Sequence, residues 1–481
     1  MSEPYSLHLG DCLESLKRMP DNSVDAVVTD PPYGLSDHKP AEVIACLSAW
    51  IAGETYQPKG KGFMGKSWDA WVPGPEVWRE CLRVLKPGGH LLAFAGTRSM
   101  DLMSMAVRLS GFELRDSIGY ANDGGGAPVM AWTFGSGFPK SMDVSKAIDK
   151  AAGAEREVVG ESPWASRGGA GLARSIFNDD NWQSDGDAVT SPATEAARQW
   201  QGWGTALKPA WEPIILARKP MGQTVAANVI QHGTGALNID GCRVESGGEH
   251  MVKGTVTKKT TVAGDTREGA ALGMYGAGAS FTPTNHEGGR WPANLITDGS
   301  DEVLAGFPMT GKSTGGGRKN GDKFGGGYAP TGDDAIGYGD TGSAARFFYC
   351  AKASKRDRDD GLEGFDVKPC GPMEDDNYDI KTGSGASRDT RRANTHPTVK
   401  PTNLMRYLCR LVTPPGGVLM DLFMGSGSTG KAAMLEGFRF IGCERDPEYL
   451  EIARARIEHA RQSVAHKPEE PTPQLGLFDA A

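Results

Sequence analysis

A short segment near the amino terminus, Asp30-Pro31-Pro32-Tyr33, combines groups that can hold an amine. It directly follows the apolar, β-branched run at residues 24–29, which predicts that it lies at the carboxyl end of a strand. Because proline fixes the backbone and lacks an N–H donor, the segment presents the Asp30 carboxylate and the Pro31 carbonyl as acceptors. The Tyr33 ring adds a stacking surface, which suits a flat aromatic amine. The alternative is an ordinary proline turn after a strand.

A second segment, GSGSTG at residues 425–430, lies near the other end of the chain and matches the pattern G-x-G-x-x-G. It follows the apolar run 418–423 and precedes a helical pattern, where such glycines let a nucleotide-like cofactor approach the backbone. Glu444 ends the next predicted strand, where a carboxylate binds ribose hydroxyls. A nicotinamide-dependent Rossmann oxidoreductase fits this segment equally well. It would need further strand–helix units after Glu444, and the remaining sequence is too short for them.

A third match, GFPMTGKS at residues 306–313, satisfies the phosphate-loop pattern. That pattern binds phosphate between a strand and a helix, and the flanking residues favour neither. An NTPase is therefore not expected, and Lys312 is interpreted as a surface charge or a phosphate contact.

The elements that position these segments alternate between strand and helix patterns. The alternation runs through the first 120 residues, resumes at residue 396 and includes an apolar strand at residues 212–217. This rhythm predicts an α/β fold with a doubly wound, mostly parallel sheet. The predicted divisions are residues 1–139 and 393–461 as two halves of one domain, 140–205 as a polar insertion, 206–220 as a returning strand, 221–392 as a large loop-rich insertion and 462–481 as a disordered tail.

Composition narrows the function classes. The net charge of −8 argues against a uniformly basic coat for nucleic acid, although local basic stripes are enough for binding. The eight cysteines include no CxxC spacing, so no metal site is expected. No apolar run approaches the roughly 18 residues of a membrane span. The amino terminus also lacks a signal-peptide pattern, so a cytoplasmic protein of a bacterial cell is expected.

Several segments occur in the order typical of the β group of DNA amino-methyltransferases, a family that this chain resembles. They are GDC at 10–12, VVTDPPYG at 27–34, LKPGGHLLAF at 85–94, HPTVKP at 396–401 and DLFMGSGSTG at 421–430. The resemblance implies a circularly permuted, seven-stranded S-adenosylmethionine-dependent methyltransferase fold. Residues 135–141 and 204–219 resemble enzymes common in phages and prophages, and Leu422 stands where many members have proline.

The resemblance also implies roles for the matching residues. Asp30 and the Pro31 carbonyl accept the hydrogens of the target amine, Pro32 keeps the segment rigid, and Tyr33 stacks on the flipped base. The implied cofactor is S-adenosylmethionine, and neither a metal nor a covalent intermediate is needed. The implied cofactor-binding residues are Asp11 and Cys12 beside the adenine, Glu444 at the ribose, Phe423, Gly425 and Gly427 around the pocket, His396, Thr398 and Lys400 near the methionine end, and Asp421.

The implied substrate is adenine in double-stranded DNA, methylated site-specifically as in restriction-modification systems. DPPY favours adenine, since SPPY is the commoner signature for cytosine; a cytosine-N4 enzyme and a DNA-binding protein with an inactive site stay as alternatives. Residues 221–392 are the candidate target-recognition region. The basic residues proposed to contact phosphates, or else to form a solvated face, are Lys352, Lys355, Arg356, Arg358, Arg391 and Arg392.

The last residues suggest a protein partner. Gln474, Leu475, Leu477 and Phe478 resemble the short peptide by which many bacterial replication proteins dock on the sliding clamp. Apolar side chains in a tail that is expected to be disordered need a pocket to cover them. The alternative is a tail that folds back on its own domain or does nothing. A homodimer is also an expectation, because the family often dimerises.

Overall fold

The structure is a computed structural model of the chain. It describes residues 3–35, 38–58, 69–116, 129–133, 142–161, 188–205, 211–244, 251–258, 279–286, 289–299, 301–310, 342–351, 357–369, 379–381, 387–389 and 391–465.

The described strands are β1 (Tyr5–Leu9), β2 (Val24–Thr29), β3 (Leu85–Phe94), β4 (Glu113–Asp116), β5 (Val129–Thr133), β6 (Val158–Glu161), β7 (Ala188–Thr190), β8 (Trp211–Arg218), β9 (Met251–Lys258), β10 (Ala279–His286), β11 (Leu295–Thr297), β12 (Met309–Thr310), β13 (Gly342–Ser343), β14 (Tyr349–Cys350), β15 (Lys368–Pro369), β16 (Asp379–Lys381), β17 (Ser387–Asp389), β18 (Arg391–Arg392), β19 (Val418–Asp421) and β20 (Arg439–Glu444).

The described α-helices are α1 (Cys12–Lys17), α2 (Pro40–Ile51), α3 (Pro75–Val84), α4 (Met100–Leu109), α5 (Val144–Ala151), α6 (Glu195–Gln199), α7 (Val225–His232), α8 (Asp301–Ala305), α9 (Thr402–Val412), α10 (Ser428–Leu435) and α11 (Pro447–Ala465). No helix in the described ranges combines the length and the apolar character needed to cross a membrane.

One large sheet organises the molecule, in the order β1-β20-β19-β2-β3-β8-β5-β11-β14, with β4 also paired to β8. The five strands β1, β20, β19, β2 and β3 are parallel to one another. Strand β8 runs antiparallel to its neighbours β3 and β5. The predicted α/β fold with a mostly parallel sheet is confirmed. Within the described residues the sheet has ten strands rather than seven. The additional pairings come from β4 and from the short β11 and β14, which the loop-rich insertion adds in parallel at one edge.

The two ends of the chain meet in the middle of this sheet. Strands β19 and β20 lie between β1 and β2, with Met420 in register with Val27 and Leu9 in register with Glu444. Both β2 and β19 are buried along their whole length, as expected of parallel strands covered on both faces. Because parallel strands end at the same edge, the residues after β2 and after β19 lie side by side, where open α/β sheets bind ligands.

Helices cover both faces of the sheet, so the doubly wound arrangement is also as predicted. Successive strand residues point to opposite faces, and the neighbours Leu91 and Leu92 accordingly belong to different core clusters. One cluster packs side chains of α9, α10 and α11, among them Leu408, Ala433 and Ile457, against the sheet. The other packs α1, α2, α3 and α4 through Leu16, Cys46, Trp78 and Met103.

The insertion at 140–205 forms a small unit around one buried carboxylate. Asp149 accepts hydrogen bonds from Arg156 at 2.6 Å, from the Thr194 hydroxyl at 2.7 Å and from the Ala193 amide at 2.9 Å. These contacts join α5 to the β6–β7 hairpin and to the start of α6. The composition of this segment predicts a polar insertion, and its described part is organised by a polar centre rather than by an apolar core.

Candidate active site

The loop after β2 is held in place by its neighbours. The amides of Tyr33 and Gly34 donate to the buried Asp69 carboxylate at 3.0 and 3.1 Å, and the Ser99 hydroxyl donates to the Tyr33 carbonyl at 2.5 Å. Gly34 has φ +63°, and a Cβ there would meet the Trp71 backbone at 3.0 Å. Only glycine therefore fits this turn without strain. The segment that carries Asp30 is thus a fixed platform at the carboxyl edge of the sheet.

Four polar side chains meet at the tip of this loop. Asp30 accepts from the Tyr33 hydroxyl at 2.7 Å and from Lys400 Nζ at 2.8 Å. Glu212, the second residue of β8, lies 3.4 Å from the Tyr33 hydroxyl and 3.6 Å from Lys400 Nζ. The Lys400 side chain is 8% exposed and also faces the Phe94 ring, 4.8 Å from its centre. One buried cation is therefore shared between two carboxylates.

The burial of this cluster sets its protonation. Burial raises the pKa of Tyr33 well above its usual value, and the Asp30 and Glu212 carboxylates raise it further. Burial alone would lower the pKa of Lys400, but the same two carboxylates outweigh it and the pKa is raised. Burial also raises the pKa of Glu212, partly offset by Lys400. At neutral pH Lys400 is therefore a cation and Tyr33 is a neutral hydroxyl, and both act as donors.

The glycine turn after β19 lies next to this cluster. Gly425 and Gly427 have φ values of +52° and +80°, which favour glycine. The Gly425 amide donates to Glu444 at 2.7 Å, and the other Glu444 oxygen accepts the Asp446 amide at 2.8 Å. Burial raises the pKa of Glu444, although these amides partly counteract it. The carboxylate expected at the ribose therefore lies at the turn, held by backbone amides.

His396 lies directly against this turn. A Cβ on Gly425 would come within 2.7 Å of His396 Nε2. The other ring nitrogen, Nδ1, is 2.6 Å from the Thr398 carbonyl, so Nδ1 carries the hydrogen and donates. Burial lowers the pKa of His396 to about 4. The ring is therefore neutral at neutral pH, and its Nε2 lone pair is an acceptor beside the turn.

Asp421 lies beneath the turn rather than facing open space. Its carboxylate accepts the Thr29 hydroxyl at 2.6 Å, the Thr429 hydroxyl at 2.5 Å and the Phe423 amide at 3.0 Å. Burial raises its pKa to about 6, with these donors working against the rise. Asp421 therefore joins the end of β2 to the glycine turn, and its contacts are those of a positioning residue.

A cavity of about 290 Å³ opens beside the turn. Its lining includes three residues expected at the cofactor, Asp11, Cys12 and Phe423, together with the aromatic side chains of Trp50, Tyr56 and Trp71. The Gly10 amide donates to the Glu444 carbonyl at 2.8 Å, which brings the Asp11 loop to the Glu444 strand. A cavity that has aromatic walls and the Asp11 carboxylate in its lining, and that lies near a turn with no room for a Cβ, fits a nucleoside-bearing cofactor.

Three of the six residues expected to contact DNA lie in the part of the chain that the structure describes. Arg358 donates to the His396 carbonyl at 2.7 Å and to the Asn394 carbonyl at 3.4 Å, so it braces the segment that carries His396. Arg391 and Arg392 form β18, paired with β15. Lys352, Lys355 and Arg356, the tail residues Gln474, Leu475, Leu477 and Phe478, and Lys312 lie outside the described residues.

Sequence patterns miss several side chains that complete the site. Asp69 holds the Asp30 loop, and Glu212 faces Lys400. Asp357 accepts from the Thr402 amide at 2.6 Å and from Lys431 Nζ at 3.0 Å, and so fixes the segment after Lys400. The one available signal is Glu212, a charged residue directly before the apolar run at residues 213–217.

Comparison with known families assigns the chain. The profile of the N6/N4 methyltransferases, described as DNA methylases, matches residues 24–232 and 291–455, well over half of the chain. The chain therefore belongs to this DNA methylase family. A nicotinamide-dependent Rossmann domain would need its further strands to follow Glu444 in sequence. The strands that flank β19 and β20 are instead β1 and β2, from the amino-terminal part of the chain, so this alternative loses its support.

Individual relatives match only in part. The Type II methyltransferase M2.DpnII of Streptococcus pneumoniae is 42% identical over 80 residues, 17% of this chain and 30% of that protein. The Type II methyltransferase M2.LlaDCHI of Lactococcus lactis subsp. cremoris is 37% identical over 79 residues, 16% of this chain and 29% of that protein. The chain thus spans less than a third of the length of either relative.

Solved structures superimpose over most of the chain at low similarity. The M1.HpyAVI–SAM complex has a TM-score of 0.32 and 12% identity, covering 94% of this chain and 98% of that one. PvuII DNA methyltransferase, described as cytosine-N4-specific, has a TM-score of 0.36 and 12% identity, covering 95% of this chain and 87% of that one.

Proposed function

We propose that this protein transfers a methyl group from S-adenosylmethionine to the exocyclic amine of adenine in duplex DNA, after the base has been flipped out of the helix. The observation that carries the proposal is the adjacency of two chemistries at one sheet edge. The Asp30 cluster follows β2, and the glycine turn follows β19, which is hydrogen-bonded to β2. Asp421 links the two through Thr29.

The residues present fit the cofactor. S-adenosylmethionine, when bound, supplies a methyl group on a positively charged sulfur. We expect Glu444 to accept ribose hydroxyls and Asp11, Cys12 and Phe423, which line the cavity, to contact the nucleoside. The neutral Nε2 of His396 offers an acceptor for the ammonium group of the methionine end. These are the roles we expect, and Asp421 acts by positioning the turn.

The remaining residues make the amine reactive. The lone pair of an adenine amine is drawn into the ring, so the amine is a poor nucleophile. Acceptors at both hydrogens, Asp30 and the Pro31 carbonyl, favour a pyramidal nitrogen with a localised lone pair. Tyr33 stacks on the flipped base and offsets part of the few kcal/mol that flipping costs. Positioning and electrostatic stabilisation then supply the rate, with no covalent intermediate on the protein.

The decisive experiment replaces the acceptor. Asp30→Ala should lower methyl transfer by at least about a hundredfold while S-adenosylmethionine binding, measured by calorimetry, stays close to wild type. Nucleoside mass spectrometry of DNA from a methylation-deficient host that expresses the chain measures the product. Near-normal methylation by Asp30→Ala, or cofactor binding lost together with activity, contradicts the assignment.

The same measurement decides the base. Adenine is favoured by the DPPY signature, and cytosine-N4 methylation is the second candidate. N6-methyladenine in the DNA supports the first, and N4-methylcytosine replaces it with the second. The order of the motifs and of the strands supports a circularly permuted member of the family, and residues 135–141 and 204–219 are the basis for a phage or prophage type.

We also propose double-stranded DNA and the bacterial sliding clamp as partners, the clamp through residues 474–478. A pull-down with the host clamp, using the chain with and without these residues, tests the second partner. Equal recovery of both chains dismisses it. The proposal of a homodimer rests only on the frequent dimerisation of the family, and measuring the mass of the protein in solution tests it.

A further inference from the structure

The acceptor on which the proposed reaction depends is already neutralised in this structure. Asp30 binds Lys400 Nζ through one oxygen at 2.8 Å and the Tyr33 hydroxyl through the other at 2.7 Å. A carboxylate has further lone pairs for an amine hydrogen. Its pull on that hydrogen is nevertheless weakened while a buried ammonium group is in contact with it. Full acceptor strength therefore requires that Lys400 move away from Asp30.

Glu212 is placed to receive both of these donors. Its Oε1 lies 3.4 Å from the Tyr33 hydroxyl and its Oε2 lies 3.6 Å from Lys400 Nζ. Both distances are longer than those to Asp30, so the donors are within reach of Glu212 but are not yet bound tightly by it. A lysine side chain covers such a distance by a small rotation, since its four-carbon stem is flexible.

One buried oxygen of Glu212 would also gain a hydrogen bond from this movement of Lys400. Its Oε2 is buried and accepts no hydrogen bond from any residue in the described ranges. Its described partner is Lys400, which forms only a loose ion pair at 3.6 Å, and a buried polar atom that lacks a hydrogen bond is costly and calls for an explanation in a native structure. An oxygen that forms only a loose ion pair with Lys400 here, and gains a hydrogen bond from Lys400 when the amine binds Asp30, accounts for the observation.

We propose that Glu212 is a positioning residue that draws Lys400 and the Tyr33 hydroxyl away from Asp30 when the target amine arrives. The inference rests on the proposed function, because it needs an amine at Asp30. The exchange moves no proton and creates no new charge: two carboxylates, one ammonium group and one hydroxyl are present before and after. Its cost is therefore small, and Asp30 becomes free for the amine hydrogens at the moment they are offered.

The test removes the charge of Glu212 and keeps its shape. Glu212→Gln should slow single-turnover methyl transfer by about tenfold to a hundredfold, the effect of one charge-assisted hydrogen bond. The substrate is DNA from a methylation-free host with tritiated S-adenosylmethionine and enzyme in excess. Dissociation constants for S-adenosylmethionine and DNA should stay at the wild-type values, because Glu212 acts after binding. Glu212→Asp, which keeps the charge on a shorter stem, should lie between wild type and Glu212→Gln.

A matched control is available on β4, the strand that pairs with the other end of β8. Glu113 binds Arg218 at 2.7 Å, at the far end of β8 from Glu212. Glu113→Gln makes the same chemical change to a carboxylate that binds a cation elsewhere on the sheet, and it should retain the wild-type rate. A general loss of rate in both variants would point to sheet stability and would overturn the proposal.

A double-mutant cycle separates the proposed role from mere packing. If Glu212 works by drawing Lys400, then Glu212→Gln should cost little further rate in a Lys400→Met background. Equal fold-losses in the two backgrounds, a wild-type rate for Glu212→Gln, or a parallel loss of cofactor binding each overturn the inference. A wild-type protein that methylates no DNA contradicts the proposed function itself, which is a separate outcome.

Discussion

The buried imidazole of His396 makes folding stability depend on pH. Its pKa is lowered from 6.5 to about 4 by burial, so between these values the unfolded chain binds a proton that the folded chain does not. The corresponding stability is present above pH 6.5 and is lost as the pH falls toward 4. We expect His396→Gln to lose less stability than the wild type across this window, by on the order of 3 kcal/mol.

Denaturant unfolding at a series of pH values measures this difference. His90, whose pKa burial lowers to about 3, titrates over the same range and is present in both proteins, so it cancels in the comparison. Identical pH dependence of the two proteins would mean that His396 is not held neutral by the fold.

The glycine turn after β19 combines two constraints that substitutions can separate. Gly425 has φ +52° and its Cβ position is 2.7 Å from His396 Nε2, whereas Gly437 has φ +75° and nothing within 4 Å. Alanine at either position meets the backbone strain, which costs about 1–2 kcal/mol. Only Gly425→Ala also displaces His396, so we expect a loss of S-adenosylmethionine affinity of at least about tenfold there alone. Calorimetric titration of both variants measures it, and equal affinities would contradict the placement of the cofactor.

Strands and turns of this site are largely predictable from sequence, whereas their partners are not. The runs that become β2 and β19 are mostly apolar and are buried over their full length, and the motifs after them are local, so both are visible in sequence. β14 is only 2 residues long, too short to show any period. The contact of Lys400 with Asp30 spans 370 residues of sequence, and no local pattern encodes it. The contact of Glu212 with Lys400 likewise joins residues that are distant in sequence.

At the scale of the whole molecule, strands from both ends of the chain form one sheet, and this brings the Asp30 loop and the glycine turn together in one site. β19 and β20 insert between β1 and β2, so Thr29 from one end meets Asp421 from the other at 2.6 Å. The end of the loop-rich insertion is tied to the same half: Arg358 braces the His396 carbonyl, and Lys431 on α10 binds Asp357. Any movement of residues 357–360 is therefore transmitted to the segment that carries Lys400.

That connection predicts that removing Asp357 lowers the free energy of unfolding more than removing Asp360 does. Lys431 is 5% exposed and binds Asp357 at 3.0 Å and Asp360 at 2.9 Å, with these side chains 12% and 33% exposed. Asp357 also accepts the Thr402 amide at 2.6 Å, at the start of α9. Asp357→Ala leaves a buried cation and an amide poorly paired, and should lower the free energy of unfolding by about 3 kcal/mol.

Asp360→Ala removes a half-exposed partner and should cost no more than about 1 kcal/mol. Denaturant unfolding of both variants measures the two values. Adding Lys431→Met to Asp357→Ala should recover part of the loss, because the double variant no longer buries a cation that has lost the more buried of its two partners. If the two single variants lose equal stability, or if the double variant loses more than Asp357→Ala alone, then residues 357–360 are not anchored to α10 through the Asp357–Lys431 pair.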